Sequence, residues 1–138
     1  MIDPQILAVA QERIELEADA VRRVVDVFDD TTTEIINAIL HCAGKVFVTG
    51  SGTSGSIARR MAHLFSVSGT PSVFVQPSDA LHGTMGALRA DDLLIAISKG
   101  GGSDEINNLA KRAQERGVKV IALTSERSSE LAELADFA

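Results

Sequence analysis

The chain has 138 residues, a formal net charge of −6, and 45% hydrophobic against 23% charged side chains, the balance of one α/β domain able to bury its own core. The acidic balance argues against nucleic acid or an anionic membrane as partner, and five Phe with no Trp or Tyr make stacking on nucleobases a poor mode of action. A lone cysteine, Cys42, excludes an intrachain disulfide and sets the reducing cytoplasm as the expected compartment; no stretch is apolar for long enough to span a membrane.

In chain order, Pro4 to Phe28 reads as one long helix. Leu7, Ile14, Val21 and Phe28 recur every seven residues, with Ala10 and Val24 three beyond the first and third. Such a stripe can lie on its own domain or on another copy of the chain, and Glu17 interrupts a pure coiled-coil seam. Thr31 and Glu34 have the spacing of a capping box. A second helix follows through Ile35, Ile36, Ala38, Ile39 and Leu40, and Gly44 is placed to end it.

From Lys45 the chain alternates. The expected strands are 45–49, 72–76, 93–97 and 118–123, and the expected helices run from about Ser56 to Ser68, up to about Arg116, and from Ser129. Near-continuous apolar strands between amphipathic helices predict a parallel sheet covered on both faces. With right-handed crossovers this is a three-layer αβα sandwich of the doubly wound, flavodoxin- or Rossmann-like kind. The expected division is a single domain, with residues 1–30 as an N-terminal helix and 31–138 as the core. The same rhythm predicts a further strand after Phe137, so either the fold is short by one or more elements or the sequence is a fragment of a longer chain.

Two loops carry the chemistry. Gly50-Ser51-Gly52-Thr53-Ser54-Gly55 follows the first strand, and Ser98-Lys99-Gly100-Gly101-Gly102-Ser103 follows the third. Gly- and hydroxyl-rich turns at helix N-termini aim free N–H groups and the positive end of the helix dipole at an anion. The first loop matches the G-x-G-x-x-G dinucleotide pattern. That pattern also calls for an acidic residue at the end of the second strand, where this chain has Gln76, with Asp79 further into the loop. The second hydroxyl-rich loop favours a phosphate monoester, held by converging neutral donors. Glu105 can serve as an acid/base if it reaches substrate carbons, although Asp104 and Glu105 also suit a first helical turn on dipole grounds alone. His41 and His63 read as structural. His82 has no second His or Cys at ligand spacing, so no metal site and no cofactor is expected.

These loops, with Ser68-Gly69-Thr70-Pro71, Ala80-Leu81-His82-Gly83, Asp92 to Ser98, and Ser103-Asp104-Glu105-Ile106, resemble the sugar isomerase (SIS) domain family, nearest the arabinose-5-phosphate isomerase type. The resemblance covers about Ala38 to the C-terminus. It implies a five-stranded or truncated parallel sheet, a phosphorylated sugar as ligand, and a homodimer or homotetramer. It implies aldose–ketose isomerisation of sugar phosphates through an enediol, or, as the alternative, a non-catalytic phosphosugar sensor. By the same resemblance Ser51, Gly52, Thr53, Ser54, Ser98, Lys99, Gly101 and Ser103 bind the phosphosugar, and Glu105 and His82 move protons. The chain departs from that pattern in carrying Thr53 for a Lys, Lys99 for an Asn, Gly100 for a Ser and Gly102 for a Glu. Lys99 is expected to restore a positive charge near the phosphate.

Overall fold

A computed structural model describes residues 3–138. The four apolar runs form parallel strands, β1 (Val46–Gly50), β2 (Ser72–Val75), β3 (Leu93–Ile97) and β4 (Lys119–Leu123), in the order β2-β1-β3-β4. Every residue of β1 and β3 is buried, as befits central strands roofed on both faces, whereas only Val75 of the edge strand β2 is fully buried. The register sets Gly50 opposite Ile97, so the two loops leave adjacent strands at the same level. Ser72 and Thr49 tie β1 to β2 from their side chains, donating to the carbonyls of Val46 at 2.7 Å and Val75 at 2.8 Å.

Side chains alternate between two apolar layers, as strand geometry requires. Phe47, Leu94 and Val120 point into one layer with Ile106, Leu109 and Leu131. That layer is covered by α4 (Pro77–Leu81), α5 (Asp104–Gln114) and α6 (Glu130–Leu134). Val46, Val48, Ile95 and Ile121 point into the other, against Ala58 and Ala62 of α3 (Gly52–Val67) and Ile35 and Ile39 of α2 (Asp30–Leu40).

The sheet differs from the five strands implied by the resemblance: among the described residues it has four. Beyond β4, Phe137 makes a single parallel bridge to Ile121, and its carbonyl accepts from the Ala122 amide at 2.8 Å. The bridge lies where a fifth strand of a 2-1-3-4-5 sheet runs.

The chain divides into a segment through Thr32 and a body from Thr33 to Ala138. In the first, α1 (Pro4–Arg22) starts with Pro4 behind Asp3, whose carboxylate accepts from the Gln5 amide at 2.8 Å. The expected continuous helix to Phe28 gives way to a 3-10 turn over Arg23–Val27, and Phe28 is extended. The crowded β-branched pair Val24-Val25 and the acidic residues after it disfavour further α-helix. The predicted capping box is also displaced. Asp29 and Thr32, not Thr31 and Glu34, exchange side-chain and backbone bonds at 3.2 Å, because α2 begins at Asp30 and Asp outranks Thr as a cap.

A buried aspartate fixes the strand starts. Asp92 accepts from the amides of Lys45 and Arg89, each at 2.7 Å, joining the entrance of β1 to the turn before β3.

Candidate functional site

The chain reverses direction across the sheet between β1 and β3. From β1 it crosses to the β2 edge, and from β3 to the β4 edge. Ligands of open α/β sheets sit at the carboxyl strand ends beside such a switch point, and here the two loops flank it.

The first loop is more helical than its composition predicts. Helix α3 starts at Gly52, with Ser51 as its N-cap, so Gly52, Thr53 and Ser54 form its first turn. Gly52 has a φ of +56°, the left-handed region that favours glycine. Gly50 and Gly55 serve packing: a Cβ on Gly50 would meet the Ser54 carbonyl at 2.8 Å. The second loop leads from Ser98, which is 8% exposed, to Ser103, the N-cap of α5. Gly101 in its middle is buried, with a φ of +64°.

Asp3 and Ser129 cap α1 and α6 with their side chains, but Ser51 and Ser103 make no such bond to α3 and α5. The hydroxyls of Ser51, Thr53, Ser54, Ser98 and Ser103 form no hydrogen bond within the protein, and the Ser51 Oγ is buried without a partner. The first-turn amides of both helices likewise have no protein acceptor. Donors left free at two helix N-termini, one of them a buried hydroxyl, fit an anion between them.

Other residues singled out from sequence lie around this centre. Lys99 is exposed at the head of the second loop. Glu105 is exposed in the first turn of α5. His82 is exposed at the C-cap of α4, which packs against α5. The imidazole of His82 and the carboxylate of Glu105 make no bond within the protein, and nothing in the fold joins the two side chains directly. At the end of β2, a cavity of about 210 Å³ is lined by Arg59, Phe74, Val75, Gln76, Asp79 and Thr84, with the Arg59 guanidinium 3.9 Å from the centre of the Phe74 ring. A larger open hollow of about 610 Å³ runs along the outer face of α5 past Lys111 and Arg116 and touches neither loop. Among the described residues no group of three or more His, Cys, Asp or Glu converges as metal ligands do, and no helix is long and apolar enough to cross a membrane.

A third segment, missed from the sequence, supports the second loop. The Lys99 carbonyl accepts from the Ser125 Oγ at 2.7 Å, the Ser125 amide at 2.9 Å and the Thr124 Oγ at 3.1 Å. The Gly101 carbonyl accepts from the Asn107 side chain and the Leu131 amide, each at 3.1 Å. Asn107 carried a readable signal: it is a polar residue on the buried stripe of Ile106, Ala110 and Ala113.

Comparison with known proteins agrees with the fold. The SIS domain family matches residues 39–138, and the chain belongs to that family. It is 33% identical over 126 residues to the arabinose 5-phosphate isomerase GutQ of Escherichia coli K12, spanning 91% of this chain and 39% of that protein. The chain thus covers about two fifths of the curated relatives it matches. A solved Listeria monocytogenes structure is 37% identical with a TM-score of 0.94, over 100% of this chain and 73% of the other. The solved c3406 protein of E. coli CFT073, in complex with arabinose 5-phosphate, is 33% identical with a TM-score of 0.91, over 99% of this chain and 73% of that one.

Proposed function

We propose that this chain binds the phosphate of a sugar phosphate between its two loops and takes part in an aldose–ketose isomerisation, with arabinose 5-phosphate as the aldose. The observation that carries the reading is the set of unpartnered donors. Serines stand at the N-caps of α3 and α5 yet cap neither helix, so hydroxyls and first-turn amides are free for one dianion. The relative GutQ is an arabinose 5-phosphate isomerase and the c3406 structure holds arabinose 5-phosphate, which supports the choice of sugar.

In this reading Ser51, Gly52, Thr53, Ser54, Ser98, Gly101 and Ser103 shape the phosphate site, and the Lys99 ammonium adds attraction from the rim. With the phosphate anchored, the sugar extends toward the ends of β2 and α5. Glu105 takes the proton from C2 of the open-chain aldose as O1 gains a proton, and returns it to C1 of the resulting enediol as O2 gives one up. His82 exchanges protons with the sugar hydroxyls during ring opening. A homodimer or homotetramer in the cytoplasm completes the proposal.

The test is turnover and binding together. Nuclear magnetic resonance of the sugar should show arabinose 5-phosphate converting to its 2-ketose only with the chain present, and calorimetry should show binding of arabinose 5-phosphate but not of arabinose. Binding without conversion would support the second reading, a phosphosugar-binding module. That reading is favoured by the first loop, where position 53 is an exposed, uncharged Thr. Absence of both would reject the phosphosugar site.

A further inference from the structure

We infer that Asn107 is a positioning residue, which, with Thr124 and Ser125 holding the Lys99 carbonyl, fixes the second loop so that the main-chain amides of Gly100 and Gly102 face the phosphate site. The inference rests on the phosphosugar reading above and assigns a role to a residue outside the two loops.

The argument begins with the peptide unit. In a trans peptide the carbonyl of one residue and the amide of the next point in opposite directions, and the chain has no cis peptide bonds among its described residues. The Lys99 carbonyl is turned toward Thr124 and Ser125, so the Gly100 amide points the other way. The Gly101 carbonyl is turned toward Asn107 and the start of α6, so the Gly102 amide also points away from them. The strand order supplies the direction. The segment after β4 flanks the second loop on one side, and the first loop flanks it on the other. Carbonyls drawn toward the β4 side therefore leave two amides aimed at the first loop, across the switch point.

Both amides lack a protein acceptor. Both glycines are exposed, and a Cβ on either would meet nothing within 4 Å. The space in front of them is open. Behind them it is closed: a Cβ on Gly101 would collide with Ser129, so the loop cannot sink further into the body. Successive amides held outward in this way form an anion-binding concavity.

The side chain of Asn107 is ill suited to stability alone. It is 3% exposed, its Nδ2 donates to Gly101, and its Oδ1 is buried with no partner. An orphaned buried carbonyl is destabilising, and a Leu of similar size would avoid it.

The experiment combines urea unfolding, calorimetry with arabinose 5-phosphate, and amide resonances during titration with inorganic phosphate. Asn107→Leu should leave the urea midpoint unchanged or higher while weakening arabinose 5-phosphate by about tenfold, the order expected for lost bonds to a charged group. Gly100→Pro and Gly102→Pro remove the amides and should weaken it similarly. Phosphate should shift the Gly100 and Gly102 amides in the unaltered chain. The inference is overturned if those amides stay fixed at saturating phosphate, or if Asn107→Leu and both proline variants bind like the unaltered chain. Phosphate-dependent shifts in a chain that turns over no sugar would reject the isomerase reading and leave Asn107 in its role. A chain that binds neither phosphate species would end both.

Discussion

Gly55 packs so closely on Gly50 that a Cβ on it would lie 2.7 Å from the Gly50 carbonyl oxygen. This contact lets the first turn of α3 rest on the end of β1. Gly55→Ala should therefore destabilise the fold by about 1–3 kcal/mol in urea titration, through overpacking against rigid backbone. Gly86→Ala, where a Cβ would meet nothing within 4 Å, should change stability by less than about 1 kcal/mol, or raise it slightly. Equal stability of the two variants would contradict the packing role.

Asp92 is buried and satisfies two backbone amides, those of Lys45 and Arg89. Asp92→Ala leaves both without their acceptor and should cost about 2–6 kcal/mol, from about one to three for each orphaned group. The midpoint of urea unfolding measures it, and a loss below about 1 kcal/mol would mean that water replaces the carboxylate.

The hydroxyls of Ser54 and Ser98 bond to nothing within the protein, so their removal should separate binding from stability. Ser54→Ala and Ser98→Ala should unfold within about 0.5 kcal/mol of the unaltered chain, as changes without a structural partner do. Each should bind arabinose 5-phosphate about tenfold more weakly, the loss of a hydrogen bond to a charged group. A parallel loss of stability would place the hydroxyls in the fold instead of the site.

Much of the fold was legible because burial on both faces leaves a simple trace. The runs expected as strands at 45–49, 93–97 and 118–123 are largely apolar, and the strands at 46–50, 93–97 and 119–123 fall within one residue of them. Local chemistry that depends on competing caps was less legible. Asp29 and Thr31 are both acceptable N-caps, and only the position of the first turn of α2 decides between them. The two loops were readable from their glycines and serines, yet the first is mostly helix, because a glycine at position 52 opens α3 without ending it. The support under the second loop was not readable. It joins Lys99 to Ser125 and Gly101 to Asn107 and Leu131, and contacts of that kind exist only once β4 has been laid beside β3.

If Glu105 carries the proton between C1 and C2, Glu105→Gln should abolish turnover and spare binding. The expected fall in kcat is about 100-fold or more, with the calorimetric affinity for arabinose 5-phosphate unchanged. A variant with full turnover would return Glu105 to the role of an acidic residue favoured by the dipole of α5.

Cys42 is partly buried between α2 and the turn before β3, with its thiol 3.6 Å from the Asp91 carbonyl. Burial pushes this thiol above its ordinary 9.0, assisted by the nearby Asp92 and Asp91 carboxylates. The folded chain keeps the proton that the unfolded chain releases, so the contribution to stability holds below the unfolded value and fades as pH rises toward the folded one. Alkylation by iodoacetamide at about pH 9 should be slower in the folded chain than in urea, and Cys42→Ala should flatten the decline of stability above about pH 9. Equal alkylation rates in both states would contradict the shift.

The uncapped serines of α3 and α5 also bear on how the domain moves. A helix whose first amides have no cap frays from that end, and a missing side-chain cap forgoes about 1 kcal/mol of local stability. Opening of the first turns should therefore need less energy than opening of the strands behind them. Solvent deuterium would exchange first at Gly52–Ser54 and Asp104–Ile106, and a bound anion would close both entrances together. The amides left free at these two helix starts are then the ones the proposed anion would hold, so its occupancy would be read from the exchange pattern of the backbone.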